Sequence, residues 1–337
     1  MPIVKWSVWV SQEGVGLLQR LLEAFAWAQQ WLFETVAQPL MFRWDMGNVL
    51  EDAYDGCGWL LIGLMQMLVI ALVLRPLERL NPAQPEHDRR AIRTDVLYTV
   101  IHRLGLFRVA LFLTLEPWFD EAFGWARAHG WSSWQLDQWW PGVSDQPIAS
   151  FFVYLLVFDF LDYWYHRAQH QFNWWWALHS VHHSQQTLTS WSDNRNHLLD
   201  DLIRDLFFVC VAQLVGVPPG QFIAVVAATR MLESLSHANL PWDGGRFLSR
   251  LVVLPRFHRY HHAVGAGHES DGKGTLGGHN FAVLFPVWDL IFGTARIVRH
   301  DEPTGIRDQL PEEGGRDYGT GFWRQQWLGL CRMVGRG

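Results

Sequence analysis

Cysteine is scarce in this chain of 337 residues. The three present, Cys57, Cys210 and Cys331, lie far apart and form no C-x-x-C pair, which leaves neither a disulfide framework nor a thiolate zinc site. An excess of positive charge is also missing. The formal net charge of −6 argues against a nucleic-acid partner. The opening Met1-Pro2-Ile3-Val4-Lys5-Trp6 lacks the apolar run of a signal peptide, so membrane insertion is expected from internal segments. No internal repeat, low-complexity tract or strand-like alternation stands out.

What is abundant is apolar and aromatic. Hydrophobic residues make up 49% of the chain, with 21 Trp and 21 Phe, a content that suits a membrane protein with interfacial Trp. Within residues 1–50, Leu18, Leu21, Leu22, Phe25, Leu32 and Val36 recur near helical spacing. That pattern predicts an amphipathic helix, either packed on the rest of the fold or lying in the membrane interface. Four apolar runs follow: Cys57–Leu74, Val96–Leu115, Ile148–Leu161 and Phe207–Ala228. The second is interrupted by His102, Arg103 and Arg108, and the fourth by Pro218, Pro219 and Gly220, which predicts a kinked helix or two half-spans there. Arg75, Arg79, Arg89, Arg90 and Arg93 form a basic loop after the first run, and such loops face the cytoplasm. Trp118, Trp131, Trp134, Trp139 and Trp140 are placed in a far-side aromatic belt.

The fold expected is all-α and integral to a membrane, with about four membrane helices in two hairpins and a cytosolic helical cap. Residues 1–50 form the amphipathic segment, 51–300 the membrane-embedded domain and 301–337 a tail, with a short amphipathic helix carrying Trp323, Trp327 and Leu330. Short loops point to a bacterial inner membrane.

Histidine dominates the chemistry. Twelve of the 16 histidines lie between Tyr165 and His279. Eight of them form three clusters: His166/His170, His179/His182/His183 and His258/His261/His262. Neutral imidazole is a good transition-metal ligand, and eight exceed what one ion needs. On a helix, positions i and i+4 share a face, so His166 and His170 reach one centre, and Asp162, one turn earlier, is a candidate to orient an imidazole. Adjacent histidines diverge by about 100°, so each H-H pair can serve two metals. His197 and His237 are candidate extra ligands or hydrogen-bonding partners of ligands, or else structural residues; His279 is left open. His268 is read as a loop residue, and His87, His102, His129 and His300 as incidental.

These three clusters resemble the histidine motifs of the fatty acid hydroxylase / sterol desaturase superfamily of integral membrane di-iron oxygenases. The superfamily's tail signature corresponds to Trp288-Asp289-Leu290-Ile291-Phe292-Gly293-Thr294. His237 falls where many members carry a histidine between the second and third motifs. One departure is His279-Asn280-Phe281-Ala282, where many members read Asn-Tyr-Gly; Asn280 is the counterpart of that asparagine. The resemblance implies two iron ions, with zinc able to occupy the same nitrogens after expression. It also implies dioxygen as co-substrate and hydroxylation or desaturation of an unactivated C–H bond in a lipid such as a sterol, hopanoid or fatty acyl chain. Because Asp162, Asp193, Asp200 and Asp201 lie near purely nitrogen ligands, they are candidates to offset the cluster's charge.

Electrons are expected from a separate cytochrome b5-like or ferredoxin-like protein, docked on Arg246, Arg250, Arg256 and Arg259 unless these hold anionic headgroups. Phe151, Phe152, Tyr154 and Phe158 are candidate substrate-lining residues or plain packing. Two other readings compete. A zinc hydrolase would want H-E-x-x-H, and His166 is followed by Arg167. A non-catalytic metal-binding or transport protein would place ligands within its spans near the midplane, whereas these clusters sit at or beyond span ends.

Overall fold

The computed structural model describes residues 12–86, 88–270 and 272–336. His87 and the opening hexapeptide lie outside the described residues. Secondary structure is helical throughout, with no named strand among the described residues and a single isolated bridge between Ala263 and Thr304. The chain divides into a unit up to Met65 and one from Gln66 onward.

The first unit contains α1 (Gln12–Leu32), α2 (Gln38–Arg43) and the start of α3 (Leu50–Val69). A π turn, Phe33–Ala37, joins the first two. Leu21, Leu22, Trp27 and Trp31 of α1 are exposed.

In the second unit the helical path of α3 continues through a π turn, Ile70–Leu74, into α4 (Arg75–Leu80). The stretch Gly47–Leu80 has a mean hydropathy of 2.4 in its most apolar window, long and apolar enough to cross a membrane. Pro147–Gln171, which is α8, meets the same test at 1.4. Among the described residues these two helices qualify by length and composition. The second run breaks at Gly105, whose φ of +74° ends α5 (Arg89–Arg103) and starts α6 (Leu106–Thr114); α7 (Glu116–Ala128) follows. The fourth run breaks at Gly216, φ +70°, and Pro218, giving α10 (Leu198–Val215) and α11 (Pro219–Ser236). Glycine accepts the left-handed conformation without a Cβ clash, and proline supplies no N–H to continue the first helix.

The helix α8 has 25 residues, about 37 Å at 1.5 Å per residue. It carries the third apolar run at one end and His166 and His170 at the other. Phe172 adopts an extended conformation, ends α8 and caps α9 (Asn173–His183), which bears the second cluster. The third cluster begins on α13 (Pro255–His261), just after the short α12 (Gly245–Leu248), with Pro255 at its first position. Tyr154, Leu155, Phe158, Val215, Val225 and Leu284 pack the apolar core beneath. Tyr154 is fully buried and its hydroxyl donates to Asp137 at 2.8 Å, so it serves packing rather than a substrate passage. Phe152 is half exposed.

After α14 (Val287–Ile291), the C-terminal α15 (Phe322–Met333) packs against α9 with an orientation the sequence pattern did not predict. Phe322, Gln325, Gln326 and Gly329 are buried, while Trp323 and Trp327 point outward. A Cβ on Gly329 would lie 2.5 Å from the His197 ring, so only glycine permits this approach.

Candidate metal centre

Nine histidines, from α8, α9 and α13 and from the residues directly after α11 and α13, converge on the interior. They form two sets. His166, His170, His179, His183 and His261 make one; His182, His237, His258 and His262 make the other, and every member is buried. Within each set the available ring nitrogens lie within 4.8 Å of one another. Both adjacent pairs are split: His182 and His183 go to different sets, as do His261 and His262. The angular divergence of neighbouring helical residues produces this division.

The five-histidine set is braced from behind. Nδ1 of His166 lies 2.8 Å from the Phe281 carbonyl, Nδ1 of His170 3.0 Å from that of Gly277, and Nδ1 of His261 2.8 Å from that of His279. An imidazole that donates from Nδ1 keeps its Nε2 lone pair free. Nε2 of each of these three is buried without a hydrogen-bond partner. His179 completes the picture with Nδ1 3.4 Å from Asp200 Oδ2. Asp200 is itself held by Gln169 and by the Trp175 indole, each at 2.7 Å.

Alternate carbonyls of one irregular stretch thus face three ligand-type side chains, and the tail signature holds that stretch. Asp289 accepts from the backbone N–H of Phe281 (2.9 Å) and Ala282 (2.8 Å) and from the Thr294 hydroxyl (2.6 Å). Asp159 on α8 accepts from Leu284 N–H at 2.8 Å and from the Trp288 indole at 2.7 Å. Gly277 and Gly278 have φ of +145° and +125°, and a Cβ on either would come within 2.1 Å of Ser270 Oγ or the Gly267 carbonyl. The signature was legible in the sequence. Its task, aiming carbonyls at imidazoles, was not.

The four-histidine set is arranged differently. His237 Nε2 lies 3.1 Å from His182 Nε2 and 2.9 Å from His258 Nε2, and His262 Nε2 lies 3.2 Å from His258 Nε2. One brace is present, from His237 Nδ1 to the Glu233 carbonyl at 2.8 Å. Nδ1 of His182, His258 and His262 has no partner. Nitrogens bound at about 2.1 Å to one ion and at right angles stand about 3 Å apart, so these separations fit a shared cation.

Energetics support the same fit. A buried polar atom left without a partner costs about 1–3 kcal/mol, and a domain's net stability is only about 5–15 kcal/mol. The two sets hold many such nitrogens, so the residues suit a bound cation better than an apolar core. Burial also keeps the imidazoles neutral, as ligands must be. It pushes His182, His183, His258 and His262 well below the ordinary histidine range, and His261 to about 3 despite its carbonyl partner. His237 is lowered by burial against the pull of Asp193.

Several expected residues lie elsewhere. Asp162 orients no imidazole; it binds Arg204 at 2.6 Å, while its intended partner His166 uses a backbone carbonyl. His197 belongs to neither set. It caps α10, accepting from Leu199 N–H at 3.1 Å, and its Nε2 meets the Gln326 carbonyl of α15 at 2.8 Å. Asn280, at φ +59°, spends its side chain on the backbone of Phe257 and Arg296, bracing the third cluster rather than reaching a cofactor. Of the candidate carboxylates, Asp193 binds Arg103 (2.6 Å) and Ser234 (2.7 Å), and Asp201 faces His102 at 3.3 Å. His102 therefore faces a buried carboxylate. His268 is buried and stacks on Trp176 at 5.2 Å. The basic docking patch loses Arg259, which is buried on Gln84 and Asn239, and Arg256, which pairs with Asp243 and Asp301.

A helical scaffold with two buried all-imidazole sets defines the class: a protein whose buried histidines could hold metal beside apolar helices. Residues 151–294, the histidine-bearing region, match the fatty acid hydroxylase family model. Among curated proteins the chain is similar to an ornithine lipid hydroxylase of Rhizobium tropici, 26% identical over 64% of this chain and 62% of that protein. An alkylglycerol monooxygenase of Caenorhabditis elegans is 28% identical over 51% of this chain and 31% of its own length. A methylsterol monooxygenase of Arabidopsis thaliana is 26% identical over 49% of this chain and 54% of its own. The chain thus spans less than two thirds of each of these relatives. No solved structure matches.

Proposed function

We propose that this protein is a membrane-bound di-iron oxygenase that hydroxylates, or desaturates, an unactivated C–H bond of a lipid. The observation that carries this reading is the division of nine buried histidines into sets of five and four, with lone pairs facing inward. When bound, two iron ions would supply the oxidising power, drawing on dioxygen and two electrons from a separate donor protein. The relatives named above are hydroxylases and monooxygenases of lipids, which supports the same reaction class and a lipid substrate.

The chain's own residues would do the rest. His166, His170, His179, His183 and His261 hold one ion; His182, His237, His258 and His262 hold the other. The carbonyls of Gly277, His279 and Phe281 keep three imidazoles in the tautomer that ligates. Asp200, beside His179, offsets part of the charge of an otherwise neutral ligand set. The helix α8 runs from an apolar run to His166 and His170, so a lipid lying beside it can present a carbon to the centre. A cytosolic face and a bacterial inner membrane fit the basic loop at Arg89 and Arg90.

The test is metal analysis of protein purified anaerobically with iron supplied, beside the His182→Ala/His183→Ala double variant, followed by oxygen uptake. About two irons per chain, lost in the variant, and uptake that needs both reductant and lipid are expected. One ion or none in the parent protein overturns the di-iron reading; full metal without lipid-dependent uptake returns it to storage or transport.

A further inference from the structure

Three consecutive tryptophans, Trp174, Trp175 and Trp176, lie in the first turn of α9, and His179 of the five-histidine set follows one turn later. Residues four apart share a helix face, so Trp175 and His179 point the same way. Asp200 of α10 bridges them. Its Oδ1 accepts from the Trp175 indole at 2.7 Å, and its Oδ2 lies 3.4 Å from His179 Nδ1. On its other side Trp175 meets Trp174, with ring centroids 5.0 Å apart and planes 11° from parallel. Neighbouring residues on a helix diverge by about 100°, so helix geometry alone would not stack them. Trp175 is half-buried, and Trp174 is 45% exposed. A continuous line of contacts therefore runs from the protein surface through Trp174, Trp175 and Asp200 to a ligand-type imidazole.

Each link suits the movement of an electron. Indole is among the side chains that give up an electron most readily. Losing one leaves a cation, and a carboxylate hydrogen-bonded to its N–H stabilises that charge. Trp175 has such a carboxylate. Trp176 touches the imidazoles directly, 5.0 Å from His170 and 5.2 Å from His183, but its ring stacks on His268 and meets no carboxylate among the described residues. Anchoring Asp200 needs the Trp175 N–H alone. It does not need a second indole laid flat on the first and left at the surface.

We propose that Trp174 and Trp175 form an escape path for oxidising equivalents, which protects the centre when it is oxidised with no lipid carbon within reach. The path rests on the oxygenase reading. An electron leaves Trp175 by way of Asp200 and His179 and reduces the oxidised metal centre by one electron. The Trp175 cation keeps its N–H proton, held against Asp200. An electron from Trp174 then restores Trp175. At the surface the Trp174 cation releases its N–H proton to water. A one-electron reductant in solution, of the ascorbate class, supplies the missing electron, and a proton returns from water. Each passage thus consumes one electron from the reductant and leaves every bond of the protein as it was, so a competing reaction is excluded without damage.

The experiment mixes reduced, iron-loaded, full-length protein in detergent with dioxygen in the absence of lipid. Freeze-quenched samples are read by electron paramagnetic resonance and by Mössbauer spectroscopy. An organic radical is expected whose hyperfine pattern narrows when the tryptophans carry ring deuterium and not when the tyrosines do. Tyr165 lies 4.8 Å from Trp175, so both labels are needed. Trp175→Phe should abolish the radical. Trp174→Phe should keep it but trap it, slowing its decay on addition of ascorbate severalfold. Oxidised iron with no radical overturns the path. So does a radical borne by tyrosine, one that Trp175→Phe leaves unchanged, or a decay that Trp174→Phe does not slow. If Trp175→Phe loses its iron, the decay in Trp174→Phe decides alone. If dioxygen leaves the iron ferrous, the oxygenase reading fails; hydrogen peroxide then replaces dioxygen as oxidant in the same series, and the same outcomes decide the path.

Discussion

The two histidine sets share residue type, burial and even neighbouring positions in the chain, yet they are built in opposite ways. In the first, three imidazoles are fixed from behind by the carbonyls of Gly277, His279 and Phe281. In the second, four rings meet through their Nε2 atoms at 2.9–3.2 Å with a single carbonyl brace, from Glu233 to His237. The first set is organised by the protein. In the second, the Nε2 atoms approach one another directly, an arrangement that a shared cation would bridge. Pre-organisation raises affinity by removing the cost of ordering ligands on binding, so the five-histidine set should be the tighter of the two.

The largest effect should come from neighbours that belong to different sets. His261→Ala removes a ligand of the first set, His262→Ala one of the second. Each single variant is expected to keep about one ion per chain, by the di-metal reading, and to lose oxygen uptake by several orders of magnitude, because the two ions act as a unit. Metal analysis with Mössbauer spectra of the two variants would show two different single sites. Identical spectra, or loss of both ions from each, would erase the distinction between the sets.

A milder break leaves every ligand in place. Gly277→Ala puts a methyl group against Ser270 Oγ and asks a residue other than glycine to hold φ of +145°, so the carbonyl behind His170 must move. Loss of such supporting hydrogen bonds costs about 10–100-fold in metal affinity. The weakening should fall on the first set alone, read as early release of one ion in a chelator titration. Release of the other ion first would contradict the assignment of the brace.

Acid should weaken the protein in a direction the burial dictates. Burial lowers His182, His183, His237, His258, His261 and His262 below the ordinary value of 6.5. The unfolded chain then binds more protons than the folded one wherever pH lies between 6.5 and those depressed values. Stability therefore falls as pH falls through that window, by about 1.4 kcal/mol per imidazole per unit. Four of the six belong to the second set. Metal-free protein should show a melting temperature dropping steeply from about pH 7 to about pH 5, and the drop should shrink in His262→Gln, which deletes one titrating group. An unchanged melting temperature over that range would mean that the imidazoles are wetter than their packing indicates.

The site was more legible in the sequence than the fold was. Histidine spacing reports helix faces directly, so the clusters and the split of each adjacent pair could be read without coordinates, and His237 could be raised as a candidate. Apolar runs report less. A run of the right length predicts a span, but Gly105 and Gly216 each end a helix inside one, and the break depends on backbone dihedrals that hydropathy does not encode. Asp162 misled because helical spacing gives the face of a residue and not its competitor; Arg204, 42 positions away, outbids an imidazole that already has a carbonyl. The carbonyls behind the first set were beyond reach for a simpler reason: every residue has one, and no side chain marks which are used.

Asp200 offers the smallest and finest test of the comparison, since among the described residues it is the one carboxylate paired with a histidine of the five-member set. Its Oδ2 lies 3.4 Å from His179 Nδ1, longer than the carbonyl braces, and its remaining contacts come from Gln169 and Trp175 at 2.7 Å each. If the carbonyls do most of the organising, Asp200→Asn should lower affinity for the first ion by only severalfold, below the range expected for a full hydrogen-bonding partner. The amide keeps an acceptor for the indole and removes the charge, while its NH2 faces Gln169, whose own amide must flip to accept it. A loss matching that of Gly277→Ala would show that negative charge beside His179 matters as much as the three carbonyls together, and that the first set is held by charge as well as by shape.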